Sequence, residues 1–230
     1  MDTYAVIDVE TTGLSPSMGD AIVELGVVVL DRHFRVTRLF NSLINPGRFI
    51  PSVATAVHGI TNADVRKAPA FRDLLPEFLE CLSGTTHFVA HNLPFDRRFL
   101  TAELEDAGVD ILDTLQPVCT MKMARRQQVA ANARLATVMD ALGIPTDFHL
   151  HSALIDAAAA ARVLTLLQQP TTNSPAVTAT AAAPGILHRQ HAPNSIQKPR
   201  MNHRDSLRCL TAMGLNFADL ETVTSAVVCK

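Results

Sequence analysis

Four short stretches of the 230-residue chain carry acids or histidines in settings that an apolar core does not need. Asp8 and Glu10 flank Val9 at the end of the apolar run 4–9. Alternate residues of a strand point the same way, so both carboxylates share one face. Two such groups on a buried strand repel each other and lose hydration, unless a shared divalent cation removes both problems. The second stretch is His91-Asn92-Leu93-Pro94-Phe95-Asp96, which follows a short apolar run and opens a helical pattern. Asp96 then falls in a first helical turn, where the helix dipole alone would also favour an acid. The third is His151-Ser152-Ala153-Leu154-Ile155-Asp156. A histidine with an ordinary pKa near ~6.5 can take a proton from water, although a surface histidine and an exposed helical Asp would read the same way. The fourth, His58-Gly59-Ile60-Thr61, is a loop histidine ahead of a helix start.

Taken together, Asp8, Glu10, Asp96 and Asp156 meet the needs of two divalent cations. An all-carboxylate set suits hard ions, Mg²⁺ or Mn²⁺, and leaves positions open for phosphate. The chemistry expected of the set is phosphodiester hydrolysis, with His151 deprotonating the attacking water. His149 competes for that role but breaks the spacing.

The elements that must position these groups follow from pattern. Residues 4–9, 21–30, 34–44 and 86–90 read as strands, the second interrupted by Glu24. The first three, with short connections, imply an antiparallel meander. Phe71, Leu74, Leu75, Phe78, Leu79 and Leu82 recur at helical spacing. Helices are also expected over 94–107, 134–142 and 152–167, the last with Ser152 as N-cap. The order βββαβα followed by helices implies a mixed sheet with helices on its faces.

Composition sets bounds on this reading. Hydrophobic residues are 47% and charged residues 18%, enough for a full core. Net charge is −2. Residues 1–169 hold 14 basic and 19 acidic residues, whereas 170–230 hold 6 and 3. Two bound dications would bring the first part near neutrality, so an acidic chain remains compatible with a polyanionic substrate. Cys81, Cys119, Cys209 and Cys229 are far apart and form no CxxC, which fits a reducing, cytoplasmic setting. No run approaches the ~20 apolar residues of a membrane span, and the first residues show no secretory pattern.

Ile7-Asp8-Val9-Glu10-Thr11-Thr12-Gly13-Leu14 resembles the DxExTG first motif of the DEDDh 3′–5′ exonucleases. His91 to Asp96 resembles their HNxxFD motif, and His151-x4-Asp156 their third. Val57-His58-Gly59-Ile60-Thr61 is similar to the HGIT substrate loop, and Asn45-Pro46-Gly47 sits where NPG often occurs. The resemblance spans about residues 3–168 in order and spacing. It implies an RNase H-like α/β fold with a mixed five-stranded sheet, metal ligation by Asp8, Glu10, Asp96 and Asp156, and His151 as general base. It places Thr11, Thr12 and Gly13 near the terminal nucleotide, with Leu14 as a wedge against its base. His58, His91, Asn92 and Phe95 would line the strand-end pocket, although Phe95 also reads as core and Asn92 as a loop-fixing hydrogen bonder. Arg97, Arg98, Lys122, Arg125 and Arg126 could track the phosphate backbone or form a solvated face.

The expected organisation is a nuclease domain over 1–169, a flexible Pro/Thr/Ala-rich linker over 170–200 and a small helical segment over 201–230. The last segment reads as two short helices around Gly214. It would dock on a partner such as a DNA polymerase, pack on the catalytic domain, or form a homodimer contact. The main expectation is a DNA 3′–5′ exonuclease. Alternatives are an RNA-trimming exonuclease and a non-catalytic module that binds nucleic acid or a polymerase.

Overall fold

The computed structural model describes residues 1–146, 152–168 and 203–218. Three strands, β1 (Tyr4–Thr11), β2 (Ile22–Leu30) and β3 (Arg35–Leu43), form the expected antiparallel meander. Helices α1 (Ser52–His58), α2 (Asn62–Val65) and α3 (Phe71–Leu82) lead to β4 (His87–Ala90), which pairs parallel with β1. Helix α4 (Leu93–Asp106) follows, then β5 (Gln116–Cys119), α5 (Thr120–Arg126), α6 (Leu135–Ala141) and α7 (Ala153–Gln168). The described chain ends with α8 (His203–Ala212) and β6 (Asn216–Phe217). The sheet order is β5-β4-β1-β2-β3-β6, which puts β1 inside the sheet.

The architecture is therefore the mixed α/β sheet flanked by helices that the sequence implies, with six strands rather than five. The fifth strand, β5, escapes a pattern reading because its first two residues, Gln116 and Pro117, are exposed. A proline is tolerated there because β5 is an edge strand, where a missing N–H costs little. The sixth strand corrects the reading of the tail. Phe217, expected to start a second short helix, lies instead in β6, parallel to β3. The remainder of that expected helix, like the expected linker, falls largely outside the described residues.

Two cores cover the two faces of the sheet. On one face Tyr4, Val6, Val28 and Leu30 pack under α7, α6 and α8. On the other Ala5, Ile7, Val9, Phe40 and Phe88 pack against Phe71, Phe78 and Phe99 of α3 and α4. Helix α7 carries Ala157, Ala158, Ala159, Ala160 and Ala161, all buried. Alanine favours the helix and, being small, lets it lie close to the sheet. Contact is tightest at Gly26 of β2, where an added Cβ would sit 2.3 Å from the Ala153 carbonyl carbon and the Leu154 nitrogen.

Helix α8 belongs to the α7 face. Leu210, Met213 and Leu215 are buried in this core, so of the arrangements expected for the segment the structure has the one packed on the preceding domain. Packing on the sheet therefore uses those side chains. Leu210→Ala should then destabilise the protein by about 2–5 kcal/mol, the usual range for a buried leucine. Urea denaturation checks this; a change within about 0.5 kcal/mol would mean that α8 is not docked.

Candidate active site

Tyr4, Val6, Asp8 and Glu10 share the α7 side of β1, so the strand delivers two acids to the helix that carries the third. Asp8, Glu10 and Asp156 each offer a carboxylate oxygen within 4.8 Å of the others. All three residues are partly buried. Asp96 arrives from the first turn of α4 and is 3% exposed. The paired register of β1 with β4 ends at Val6. Beyond it, the Val9 N–H donates to Asp96 Oδ1 at 3.3 Å. The fourth acid is thus tied to the backbone between the first two.

Burial, reinforced by the neighbouring negative charge, raises Asp8, Glu10 and Asp96. Burial, then Asp96, Asp156, Glu10 and Glu24, holds the Asp8 carboxyl well above its usual range. Glu10 is pushed up to about 9, by burial first and then by Asp156, Glu24 and Asp96. Asp96 rises to about 8, burial outweighing the hydrogen bonds that favour its ionised form. A hard dication among these oxygens would relieve both burial and repulsion. The all-oxygen donor set fits Mg²⁺ or Mn²⁺ better than a softer ion.

The loop after β1 is held by its own groups. Thr11 Oγ1 donates to the Gly13 carbonyl at 2.6 Å, and Thr12 Oγ1 accepts from the Ala21 N–H at 3.0 Å. Gly13 lies against the Asp20 side chain, whose carboxyl group would have to shift to admit a Cβ there, 2.4 Å away. Leu14 is 76% exposed, and its carbonyl accepts from the Arg98 guanidinium at 2.8 Å. Arg98 also lies 4.9 Å above the ring of Phe95, which is half-buried against Phe99. Arg97 pairs with Asp113. Both arginines line an open groove of about 540 Å³ with Pro16, Ser17, Pro94 and Glu105.

The histidines divide. His58 is buried at the end of α1, and its Nδ1 accepts from the Ile60 N–H at 3.0 Å. His91 is buried with both ring nitrogens engaged, one with Thr120 Oγ1 and one with the Ala133 carbonyl, each at 2.9 Å. Burial lowers its pKa. It therefore pins the segments around Thr120 and Ala133 to the end of β4. Asn92 is exposed and makes no side-chain capping bond. His149 and His151 lie outside the described residues.

One polar residue at the site has no place in the sequence reading except as an interruption. Glu24 is 5% exposed on β2, opposite Glu10, and accepts the Ala153 N–H at 3.1 Å. The available signal was a single acid within the otherwise apolar residues 22–30.

Against this geometry, similarity to known proteins is informative. The exonuclease profile (RNase_T) matches residues 5–164. A DNA polymerase III subunit epsilon of Rickettsia felis is 33% identical over 162 residues, covering 69% of this chain and 70% of that protein. A DNA polymerase III subunit epsilon-like protein of Rhodobacter capsulatus is 48% identical over 99 residues, 43% of this chain but only 14% of the relative. Among solved structures, exonuclease X in complex with 5′ overhanging duplex DNA matches with a TM-score of 0.56 and 28% identity, over 73% of this chain and 90% of that one.

The raised acids give a prediction for the cation-free protein. Glu10 and Asp96 bind protons in the folded state that the unfolded chain, with ordinary values of 4.5 and 3.8, has released. Their contribution is therefore fully present below the unfolded values and is lost as pH rises through about 8 for Asp96 and about 9 for Glu10. In EDTA, the thermal midpoint should fall between roughly pH 5 and pH 9, and Mg²⁺ should restore it most at the alkaline end. A midpoint that rises over this window, or that ignores Mg²⁺, would refute the arrangement. The profile match over most of the chain and the acids gathered at the end of β1 agree: the chain belongs to the exonuclease family, of DEDDh type.

Proposed function

We propose that the protein is a divalent-cation-dependent 3′–5′ exonuclease that releases nucleoside 5′-monophosphates from single-stranded DNA 3′ ends. The observation that carries this reading is the convergence of Asp8, Glu10 and Asp156 within 4.8 Å, with Asp96 joined to them through the Val9 N–H. DNA rather than RNA is favoured by the similarity to the epsilon subunits and to exonuclease X in its DNA complex.

Asp8, Glu10, Asp96 and Asp156 would hold the cations. Bound there, divalent ions supply Lewis-acid stabilisation of the charge that develops on the phosphate oxygens. His151, two positions before Ala153 in sequence, takes the proton of the attacking water. The new P–O bond forms as the bond from phosphorus to the 3′ oxygen of the penultimate nucleotide breaks. The exposed Leu14 side chain abuts the terminal base, while the backbone of Thr11, Thr12 and Gly13 orients the last nucleotide. His58 and Phe95 support the same pocket. Arg97 and Arg98, along their groove, face the phosphates that follow.

The test uses 5′-labelled single-stranded DNA and RNA of the same sequence with Mg²⁺, Mn²⁺ or EDTA. A cation-dependent ladder shortening from the 3′ end is expected, faster on DNA and absent with Asp8→Ala. Faster trimming of RNA would move the substrate to RNA. No cleavage under any condition would leave a binding module. His151→Gln should lower kcat by about 10²–10⁴-fold and flatten the acidic limb of the pH–rate profile; an unchanged limb would remove His151 from the base role.

A further inference from the structure

Helix α7 brings Asp156 to the cluster, and its first residue, Ala153, is two positions after His151 in sequence. The catalytic reading therefore depends on where this helix begins in space. The first N–H groups of a helix have no partner within it. At the start of α7, one of them is met by a side chain 129 positions away in sequence: Glu24 accepts the Ala153 N–H at 3.1 Å in a buried setting. A second, independent feature lies on the same strand. Gly26 is two residues further along the same face of β2, and only its missing side chain lets the Ala153–Leu154 backbone touch the strand.

The pair register connects this seat to the acids. Glu24 stands opposite Glu10, and Gly26 stands opposite Asp8. Strand β2 thus presents a contact surface for the helix backbone beside Asp8 and a hydrogen-bond acceptor beside Glu10. The glycine sets how close α7 comes to the sheet. The carboxylate sets how far α7 slides along its own axis, because it caps one particular amide. Asp156 is three residues beyond Ala153, on the same turn of the helix, so any slide of the start carries Asp156 with it. Asp8, Glu10 and Asp156 repel one another, and the bond to Glu24 ties the start of the helix that carries Asp156 to β2.

We propose that Glu24 is a positioning residue for the exonuclease reaction: with Gly26 it seats the start of α7, and through that helix it fixes Asp156 against Asp8 and Glu10. This inference rests on the exonuclease reading and assigns Glu24 no direct contact with substrate or cation.

Three substitutions separate the hydrogen bond from the charge. Glu24→Gln keeps an acceptor of the same reach and removes the charge. Glu24→Asp keeps the charge and shortens the reach by one methylene. Glu24→Ala removes both. The readouts are Mn²⁺ affinity by electron paramagnetic resonance, hydrogen exchange of the Ala153 amide, and kcat and KM on single-stranded DNA. Wild type is measured alongside.

Glu24→Gln should keep Ala153 protected and hold Mn²⁺ affinity and kcat within about threefold of wild type. Glu24→Asp and Glu24→Ala should speed Ala153 exchange and lose tenfold or more in both Mn²⁺ affinity and kcat, with KM little changed. The opposite order, with Glu24→Asp intact and Glu24→Gln impaired, would overturn the proposal in favour of a role for charge. Unchanged exchange at Ala153 in Glu24→Asp would overturn it as well. If Glu24→Ala does not fold, the Gln and Asp variants still decide. Failure of the exonuclease reading shows separately, as wild type that binds Mn²⁺ but cleaves nothing.

Discussion

Mutual repulsion among partly dewatered carboxylates is what the surrounding structure has to oppose. Asp8, Glu10 and Asp156 sit within 4.8 Å, and Asp96 lies close enough to raise the pKa of both β1 acids. A flexible scaffold would relieve this by turning an acid outward into water. Here, each acid is borne on an element that is held elsewhere. The strand β1 is paired on both sides, Asp96 is bound to the backbone of Val9, and α7 is pressed on β2 at Gly26. The acids are thus held together by elements anchored away from the cluster.

The topology lets acids approach from opposite faces of the sheet. Strand alternation sends Asp8 and Glu10 to the α7 face, while α4 packs on the other face through Phe99 and Leu100. Asp96 can nevertheless join them because the β1–β4 pairing stops at Val6 and leaves the N–H of Val9 to be taken. The shortness of β4 therefore has a chemical consequence. The same end of β4 carries His91, whose two ring nitrogens tie down the segments around Thr120 and Ala133. A histidine so engaged holds those segments to the sheet.

Residues 203–218 extend the sheet at its other edge. Leu210, Met213 and Leu215 fill the α7 core, and Asn216–Phe217 pair with β3. An amphipathic pattern at the end of a chain shows that an apolar face must be covered but not by what. In this protein α7, itself short of large side chains along its alanine run, accepts them.

The local pattern of the chain determined much of this. Alternation fixed that Asp8 and Glu10 share a face, and apolar spacing fixed α3. The Thr61-Asn62-Ala63-Asp64 stretch fixed a capped helix start, since Thr61 and Asp64 satisfy each other's backbone groups. The four acids were legible because charge in an apolar setting is costly and therefore conspicuous. Tertiary structure alone decided the rest. The exposed edge strand β5 has no apolar period to reveal it, and α1 carries only His58 as a buried residue. Glu24 read only as a break in a strand, because its meaning lies in an amide 129 residues away. A sequence displays the intrinsic preference of each segment, whereas the partner of a buried charge is set by which segments the fold brings together.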